Sequence, residues 1–466
     1  MTRRVRRALW LLVFGVALGL SWLIPPMQSP DETSHIARAY LIAQGDWLLQ
    51  APPPTPDTGD DPQVAAFVRR AGGQADVGGR IDQALLRFMD SYLKLALDSS
   101  LRFSTAQQDS LDQLRWSTAK THLSIPGTGY YFPLVYAPQA AGLALSMALD
   151  LSIEHSYRLA RALTLLVCFA LLAAACRLLA PNPLALATLL LPMSLFQLLS
   201  PTLDGLTTSL GLLAVSLFLR NIAERASWAS ALMLAVCVFV LATSRTHLLA
   251  LLVLPFYVAW RNKSARDLYL AIVVAAGALA WVLFALHATS DTRVLRSFTT
   301  QQLLLYYASD PMRFFRVVFA SLTEPELATF YQQSFIGILG WLDTRLPGYF
   351  YPSLWVGLGL CGLVSVSLAT LHEDWHARLL LAGAALASVG LIFLALLVTW
   401  TPHPASVVQG VQGRYFVVPV LLLGYALQGT ARVHSSLHGA LIKFVVTGFT
   451  FVSLWALITT LLSRYH

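Results

Sequence analysis

The chain has 466 residues, of which 56% are apolar and only 12% charged, about half the charged share of soluble domains; its mean hydropathy is +0.62. Such a composition excludes an ordinary soluble protein and calls for lipid as the solvent of much of the chain. The net charge of +8 arises from 28 Arg and 4 Lys against 24 acidic residues; much of it sits in short connections such as Arg261 to Arg266, which is the positive-inside pattern of a membrane protein rather than a nucleic-acid surface.

At the start, Arg3-Arg4-Val5-Arg6-Arg7 precedes an apolar run from Ala8 to Ile24. No small-x-small cleavage site follows, so a retained first transmembrane helix is expected rather than a signal peptide, with its N-terminus in the cytoplasm. Crossing the ~30 Å hydrocarbon layer takes about 20 mostly apolar residues. On that criterion the chain offers about twelve candidates, near 8–26, 131–150, 157–177, 183–200, 203–222, 227–243, 246–260, 267–288, 347–370, 379–400, 414–430 and 440–463. The basic connections at 261–266, 372–378 (Arg378) and 431–443 (Arg432, Lys443) all belong in the cytoplasm, which places the C-terminus outside and demands an odd number of crossings. Segment 131–150, interrupted by Pro133 and Pro138, is the weakest candidate and is expected to be half-inserted. The expected fold is therefore an all-α polytopic transmembrane bundle with about 11 crossings, 13 being the alternative.

Five regions follow: the basic N-terminus and first helix at 1–26, a large outer loop at 27–130, transmembrane helices at 131–288, a second outer loop at 289–346, and C-terminal transmembrane helices at 347–466. The first loop opens with a helical pattern from Asp31 to Trp47, passes through Ala51 to Asp57, and shows amphipathic stretches at 80–98 and 104–118. That is enough for interfacial helices and a lid, but not obviously for an independent domain. The second loop contains Arg293, Arg296, Arg313, Arg316, Glu324 and Asp343. Two polar outer loops over a bundle imply a cavity on its outer side. The four cysteines, Cys168, Cys176, Cys237 and Cys361, lie in apolar segments without CxxC spacing, so neither a disulfide nor a metal cluster is expected of them.

The residues able to carry chemistry gather at predicted outer boundaries. Projected at 100° per residue, Asp31, His35 and Arg38 share one helix face, while Ile36, Tyr40, Ala43 and Trp47 form the other. A helix along the membrane interface is expected, its carboxylate, imidazole and guanidinium facing a cleft. Ser29-Pro30-Asp31-Glu32 also fits a capping box, in which Glu32 bonds back to Ser29 and Asp31 stays free or complements the helix dipole. Gln409 to Phe416 pairs two glycines with Arg414 and Tyr415, either a bidentate phosphate grip or an interfacial anchor. Asp204, after Ser200-Pro201-Thr202, and Arg245 with His247 are further candidates, with helix capping and interfacial turns as the plainer alternatives. The aromatic runs Tyr130 to Pro138, Gly340 to Asp343 with Trp341, and Pro347 to Pro352 suit a belt or a sugar-stacking surface. No P-loop, GxGxxG after a strand, HExxH or GxSxG occurs, so soluble nucleotide chemistry has no motif to rest on.

The order of these motifs, Pro30-Asp31-Glu32 with His35 and Arg38, Tyr131 to Pro138, Asp204-Gly205, Gly337 to Asp343 with Pro347, and Gln412 to Phe416, resembles the bacterial membrane-protein family catalogued as domain of unknown function 2142. That family looks like a branch of the GT-C glycosyltransferases, and the resemblance covers roughly residues 8–430, excepting the loop at 51–127. It implies a polyprenyl-phosphate-linked sugar donor, a glycan or lipid acceptor, and action on the outer face of the bacterial cytoplasmic membrane. Asp31 matches the catalytic acidic position, with Glu32 beside it. For such a reaction, chemistry requires a carboxylate to take the acceptor proton and cations for the departing phosphate. Arg414, Arg245 and Arg38 are the expected phosphate ligands, and His35, Asp204, Tyr131, Tyr415, Gln412 and Trp341 the supporting residues. A single base implies inversion at the sugar; retention would need a second carboxylate, which Glu32 or Asp204 could supply. No cofactor is firmly implied, and a divalent metal has no ligand motif. The alternatives are a transporter or flippase for lipid-linked saccharides, weakened by the lack of an internal repeat, and an O-antigen-type polymerase.

Overall fold

A chain in lipid has no water to satisfy its amides, so its apolar runs must close their own hydrogen bonds as helices. The computed structural model describes residues 3–55, 61–98, 100–225, 227–289, 291–293, 298–366, 374–428 and 436–466. Pro56, Asp57, Arg296, Arg432 and the first two residues of the 372–378 connection lie outside them. Helix α1 (Arg3–Ser21) leads through a short turn to α2 (Glu32–Ala43), then α3 (Pro62–Ala71), strand β1 (Gly78–Asp82), α4 (Gln83–Leu97), α5 (Thr105–Asp112) and β2 (Lys120–Ser124). The bundle continues with α6 (Ala137–Ala148), α7 (Ile153–Leu178), α8 (Pro183–Leu189), α9 (Pro192–Leu198), α10 (Leu203–Ala223), α11 (Trp228–Ser244), α12 (Val253–Asn262) and α13 (Ala265–Ala288). Next come α14 (Thr300–Ser309), α15 (Pro311–Thr323), α16 (Pro325–Gly337), the two-residue strands β3 (Ile338–Leu339) and β4 (Thr344–Arg345), α17 (Phe350–Ser365), α18 (Trp375–Thr399), α19 (Val417–Gln428) and α20 (Ser436–Tyr465).

Among the described residues, five helices are long and apolar enough to cross a membrane: α7, α10, α13, α18 and the Leu437–Tyr465 part of α20. Shorter apolar helices cover Ala8–Ser21, Trp228–Ser244, Phe350–Ser365 and Gly413–Gln428. Other expected spans are interrupted. Pro192 divides 183–200 into α8 and α9, as a proline that lacks an amide donor and restricts its predecessor should. Segment 246–260 begins as a 3₁₀ stretch, Thr246–Leu252, before α12. Segment 131–150 is a 3₁₀ turn followed by the 12-residue α6, whose rise of about 18 Å falls short of the hydrocarbon layer.

Residues 27–130 fold as more than a helical lid. Strands β1 and β2 pair antiparallel, Gly78 opposite Ser124 and Asp82 opposite Lys120. The amphipathic stretch at 80–98 is thus a strand joined to α4, and Asp82 caps that helix by accepting the Ala84 amide at 2.7 Å. This domain shares its core with the bundle: Ile36, Tyr40, Leu85 and Phe88 cluster with Tyr136, Leu143, Ile153 and Tyr157 of the bundle. The last helix ends on the same face, where Arg464 donates to the Leu95 carbonyl and lies 3.3 Å from Asp343.

The turn between α1 and α2 is fixed by buried polar groups. Arg161 of α7 donates to the carbonyls of Ser21 and Ile24, both at 2.7 Å, capping the end of α1. Its guanidinium also donates to the Tyr157 hydroxyl oxygen and stands 3.9 Å from the Glu32 carboxylate. Removing the cation from such a network leaves carbonyls and a carboxylate buried without it, at a cost of about 3–5 kcal/mol. Arg161→Met should therefore lower the thermal midpoint in detergent by several degrees, and adding Glu32→Gln should restore part of the loss. An unchanged midpoint would show that this network does not hold the turn.

Candidate active site

Asp31 occupies the N-cap position of α2 in the left-handed backbone region, φ 62° and ψ 8°, and its side chain makes no capping bond. An L-residue there costs roughly 1–2 kcal/mol, though aspartate tolerates the region better than most. The conformation is imposed from both sides. Glu32 accepts the Ser29 amide at 2.8 Å and the Tyr157 hydroxyl, while the Trp341 indole donates to the Met27 carbonyl at 2.8 Å. Held this way, the Asp31 carboxylate projects into a polar chamber, with 60% of its side-chain surface open to it.

Beneath the chamber runs a chain of alternating charges. Arg414 donates to Asp31 at 2.9 Å and lies 3.1 Å from the Asp204 carboxylate. Asp204 in turn accepts from Arg245, whose guanidinium reaches the Tyr131 hydroxyl at 3.3 Å. The rings of Tyr131 and Tyr415 sit beside the two cations, with Arg245 5.2 Å from the first ring centre and Arg414 5.4 Å from the second. Four distant elements thus meet: the turn before α2, the start of α10, the end of α11 and the 3₁₀ turn Gly413–Phe416. Gly413 makes the last approach possible. A Cβ at this position would stand 2.0 Å from the Phe335 amide nitrogen, and the Gly413 amide donates to Ser334 at 2.9 Å. Gly410 has another reason, a positive φ of 79°.

Two compartments adjoin this chain. The polar one, about 220 Å³, is lined by Asp31, Ser34, His35, Arg293, Trp400 and Gln412 among others. The apolar one, about 250 Å³, takes its walls from Leu286 of α13, Leu304 of α14 and Leu391, Leu394 and Val398 of α18, with Arg245 and His247 at its polar end. Tyr130, Tyr131, Leu396, Thr399 and Tyr415 line both, so the two are contiguous.

Residues 13–423 match the family described as Predicted membrane protein (DUF2142). The chain belongs to this family. No curated protein and no solved structure matches it. The family description supplies membrane character and no reaction.

Of the residues singled out in the sequence, Asp31, His35, Tyr131, Gln412 and Tyr415 line the polar chamber, Arg245, Tyr131 and Tyr415 the apolar one, and Asp204 anchors both arginines. Four lie elsewhere. Glu32 is fully buried and points away, serving the cap half of the anticipated box. Arg38 is buried with its guanidinium on the Trp47 carbonyl at 2.6 Å. Trp341 buttresses the turn instead of lining the chamber. Arg414 has a side chain only 1% exposed, shared between two carboxylates, so it offers no guanidinium edge for a ligand. Helix α2 is buried around almost its entire circumference and is not an interfacial helix, because β1, α6 and the α6 approach pack around it. Asp291 and Trp400 line the chamber without having stood out in the sequence; Asp291 comes from a connection with no motif to mark it, and Trp400 closes the apolar run at 379–400, where only its hydrophobicity shows. Among the described residues no three His, Cys, Asp or Glu side chains gather as metal ligands.

Electrostatics separates the neighbouring groups. Although the Asp31 side chain is open to the chamber, its distance from bulk water works against ionisation; Arg414, with smaller contributions from His35 and Arg245, outweighs this and keeps the carboxyl below its usual range. Burial raises Glu32, against the pull of Arg161. His35, bonded to the Tyr136 hydroxyl at 3.0 Å, is held down to about 4 by burial in spite of Asp31. On acidification the unfolded chain takes up this proton first, since its imidazole titrates at 6.5. Stability from neutral His35 is thus present above 6.5 and lost as pH falls toward about 4, to the extent of roughly 3 kcal/mol. His35→Gln should flatten this acid limb when thermal midpoints are followed against pH; parallel curves for the variant and the wild type would remove His35 as its origin.

Proposed function

We propose that the protein transfers a sugar from a polyprenyl-phosphate-linked donor to a hydroxyl acceptor, with Asp31 as the base. The observation carrying this reading is an accessible carboxylate in a polar chamber that shares five wall residues with an apolar compartment, on whose wall Arg245 stands beside Tyr131. A donor with a lipid tail and a charged head has that polarity along its length. The acceptor oxygen attacks the anomeric carbon and loses its proton to Asp31. The bond from that carbon to the phosphate oxygen breaks, and polyprenyl phosphate leaves with the electron pair. Arg245 faces the charge that develops on it. Arg293, on the chamber wall and bidentate with Asp291 through bonds of 2.8 and 2.6 Å, is a second cation for the same charge.

Inversion is favoured. The other carboxylates near the site are committed elsewhere: Glu32 is sealed in the turn, Asp204 is held by two arginines, and Asp291, on the chamber wall, is paired with Arg293. A passage for whole lipid-linked saccharides is less well supported, since Arg414, Asp204 and Arg245 are locked in mutual ion pairs and α10, α11 and α19 pack into one apolar core. The cytoplasmic membrane, with the chamber on its outer face, is the location that suits such a donor.

In reconstituted membranes supplied with a panel of polyprenyl-phosphate sugars, Asp31→Asn should reduce transfer by about 10²–10⁴-fold while donor binding stays within a few-fold of wild type. Undiminished transfer would eliminate Asp31 as the base. The buried position of Arg414 separates it from Arg245 in effect: Arg414→Lys should lower kcat through misplacement of Asp31, whereas Arg245→Gln should chiefly weaken donor affinity. Equal losses of donor affinity in both would contradict that division.

A further inference from the structure

Helix α15 carries a row of large apolar side chains that the described chain leaves uncovered. Met312, Phe315, Phe319 and Leu322, spaced by three, four and three residues, share one face and are each at least half exposed. The other face is spoken for. Phe314, Val317 and Val318 pack on a cluster built from Leu303 and Tyr307 of α14, Tyr331 of α16 and Ile392, Phe393, Leu397 and Val398 of α18. Ser321 closes the end of α15 by donating to the Val317 carbonyl at 2.7 Å and accepting the Val408 amide at 2.8 Å. On the neighbouring helix, Leu305 and Tyr306 extend the exposed patch.

We propose that α15 lies within the lipid leaflet on the face that carries the extramembrane domain, its apolar row among acyl chains. Depth is the first argument. The inner side of α15 packs at the level of the last two turns of α18, a helix long and apolar enough to cross the membrane, so the opposite side of α15 sits at that level too. Charge is the second. At 100° per residue the apolar row spans about 80°, and Arg316 and then Arg313 follow on one flank only. Arg313 is tied to Asp310 at 3.1 Å and stacks over Tyr306; Arg316 is exposed. A one-sided basic margin beside an apolar stripe matches the layering of acyl chains and headgroup phosphates, which long basic side chains reach by snorkelling. Continuity is the third: Thr300 and Leu304, on the helix preceding α15, line the apolar compartment. If the donor reading above holds, a lipid-embedded α15 stands beside a lateral opening through which a polyprenyl chain reaches its groove.

Site-directed spin labelling of the full chain in lipid nanodiscs tests the placement without relying on any catalytic activity. Met312→Cys, Phe315→Cys, Phe319→Cys and Leu322→Cys would each carry a nitroxide, with Asp109→Cys on α5 as the water reference. The wild-type chain, whose four cysteines lie in bundle helices, provides the labelling blank. The ratio of collision with oxygen to collision with a water-soluble nickel complex should be several-fold higher at the four positions than at Asp109→Cys. A ratio equal to the reference would put α15 in water and overturn the proposal. Low accessibility to both reagents, with dipolar broadening between labels, would show a second copy covering the row and would overturn it equally. Four separate positions keep the outcome readable if one variant does not fold.

Discussion

The site depends on one constraint: charges placed away from bulk water must be matched there. Asp31, Arg414, Asp204 and Arg245 satisfy it by alternating, each contacting a neighbour of opposite sign. The contact between Asp31 and Arg414 joins residues 383 positions apart. Elements from most of the chain's length must therefore be in register before any one of these charges is stabilised. The same constraint leaves the end of the chain of charges, the carboxylate of Asp31, partly unshielded and open to the polar chamber.

Two adjacent carboxylates show how local backbone geometry divides labour. Glu32 enters α2 and turns its side chain back to the Ser29 amide and the Tyr157 hydroxyl. Asp31, one residue earlier, is forced into a left-handed conformation that directs its side chain elsewhere. The arginine supporting Glu32, Arg161, also caps the end of α1. Helix α1 and the turn that carries Asp31 are accordingly parts of one polar network, and strain at Asp31 is sustained by bonds made by its neighbours.

Apolar helices supply one side of the site. Helices α13 and α18, both long and apolar enough to cross a membrane, lend leucines and valines to one compartment, while the polar compartment is completed by α2 and by the connections that carry Asp291, Arg293 and Gln412. Tyr130, Tyr131 and Tyr415, each with an apolar ring and a polar tip, stand where the two meet. Such rings act as more than belt anchors when they also face guanidinium groups, as Tyr131 and Tyr415 do.

By itself the sequence determined the solvent. Its apolar share, basic connections and long helical runs require a membrane protein, because hydrophobicity and charge count are properties of composition and act residue by residue. It also marked Asp31, the capping role of Glu32, and the turn around Gly413, since caps and tight turns are local. Tertiary structure decided the rest. Whether Arg38 or Arg414 reaches a ligand depends on carbonyls and carboxylates that arrive from remote segments, and both arginines were taken up by such partners. The same holds for Asp291 and Trp400, which reach the chamber from a connection and from the end of α18, and for α2, whose amphipathic pattern suits an interface but which β1, α6 and the turns before α6 enclosed. The carboxylate of Asp31 was legible from the chain; Arg414, which holds it below its usual range, and the walls of the two compartments came only with the fold.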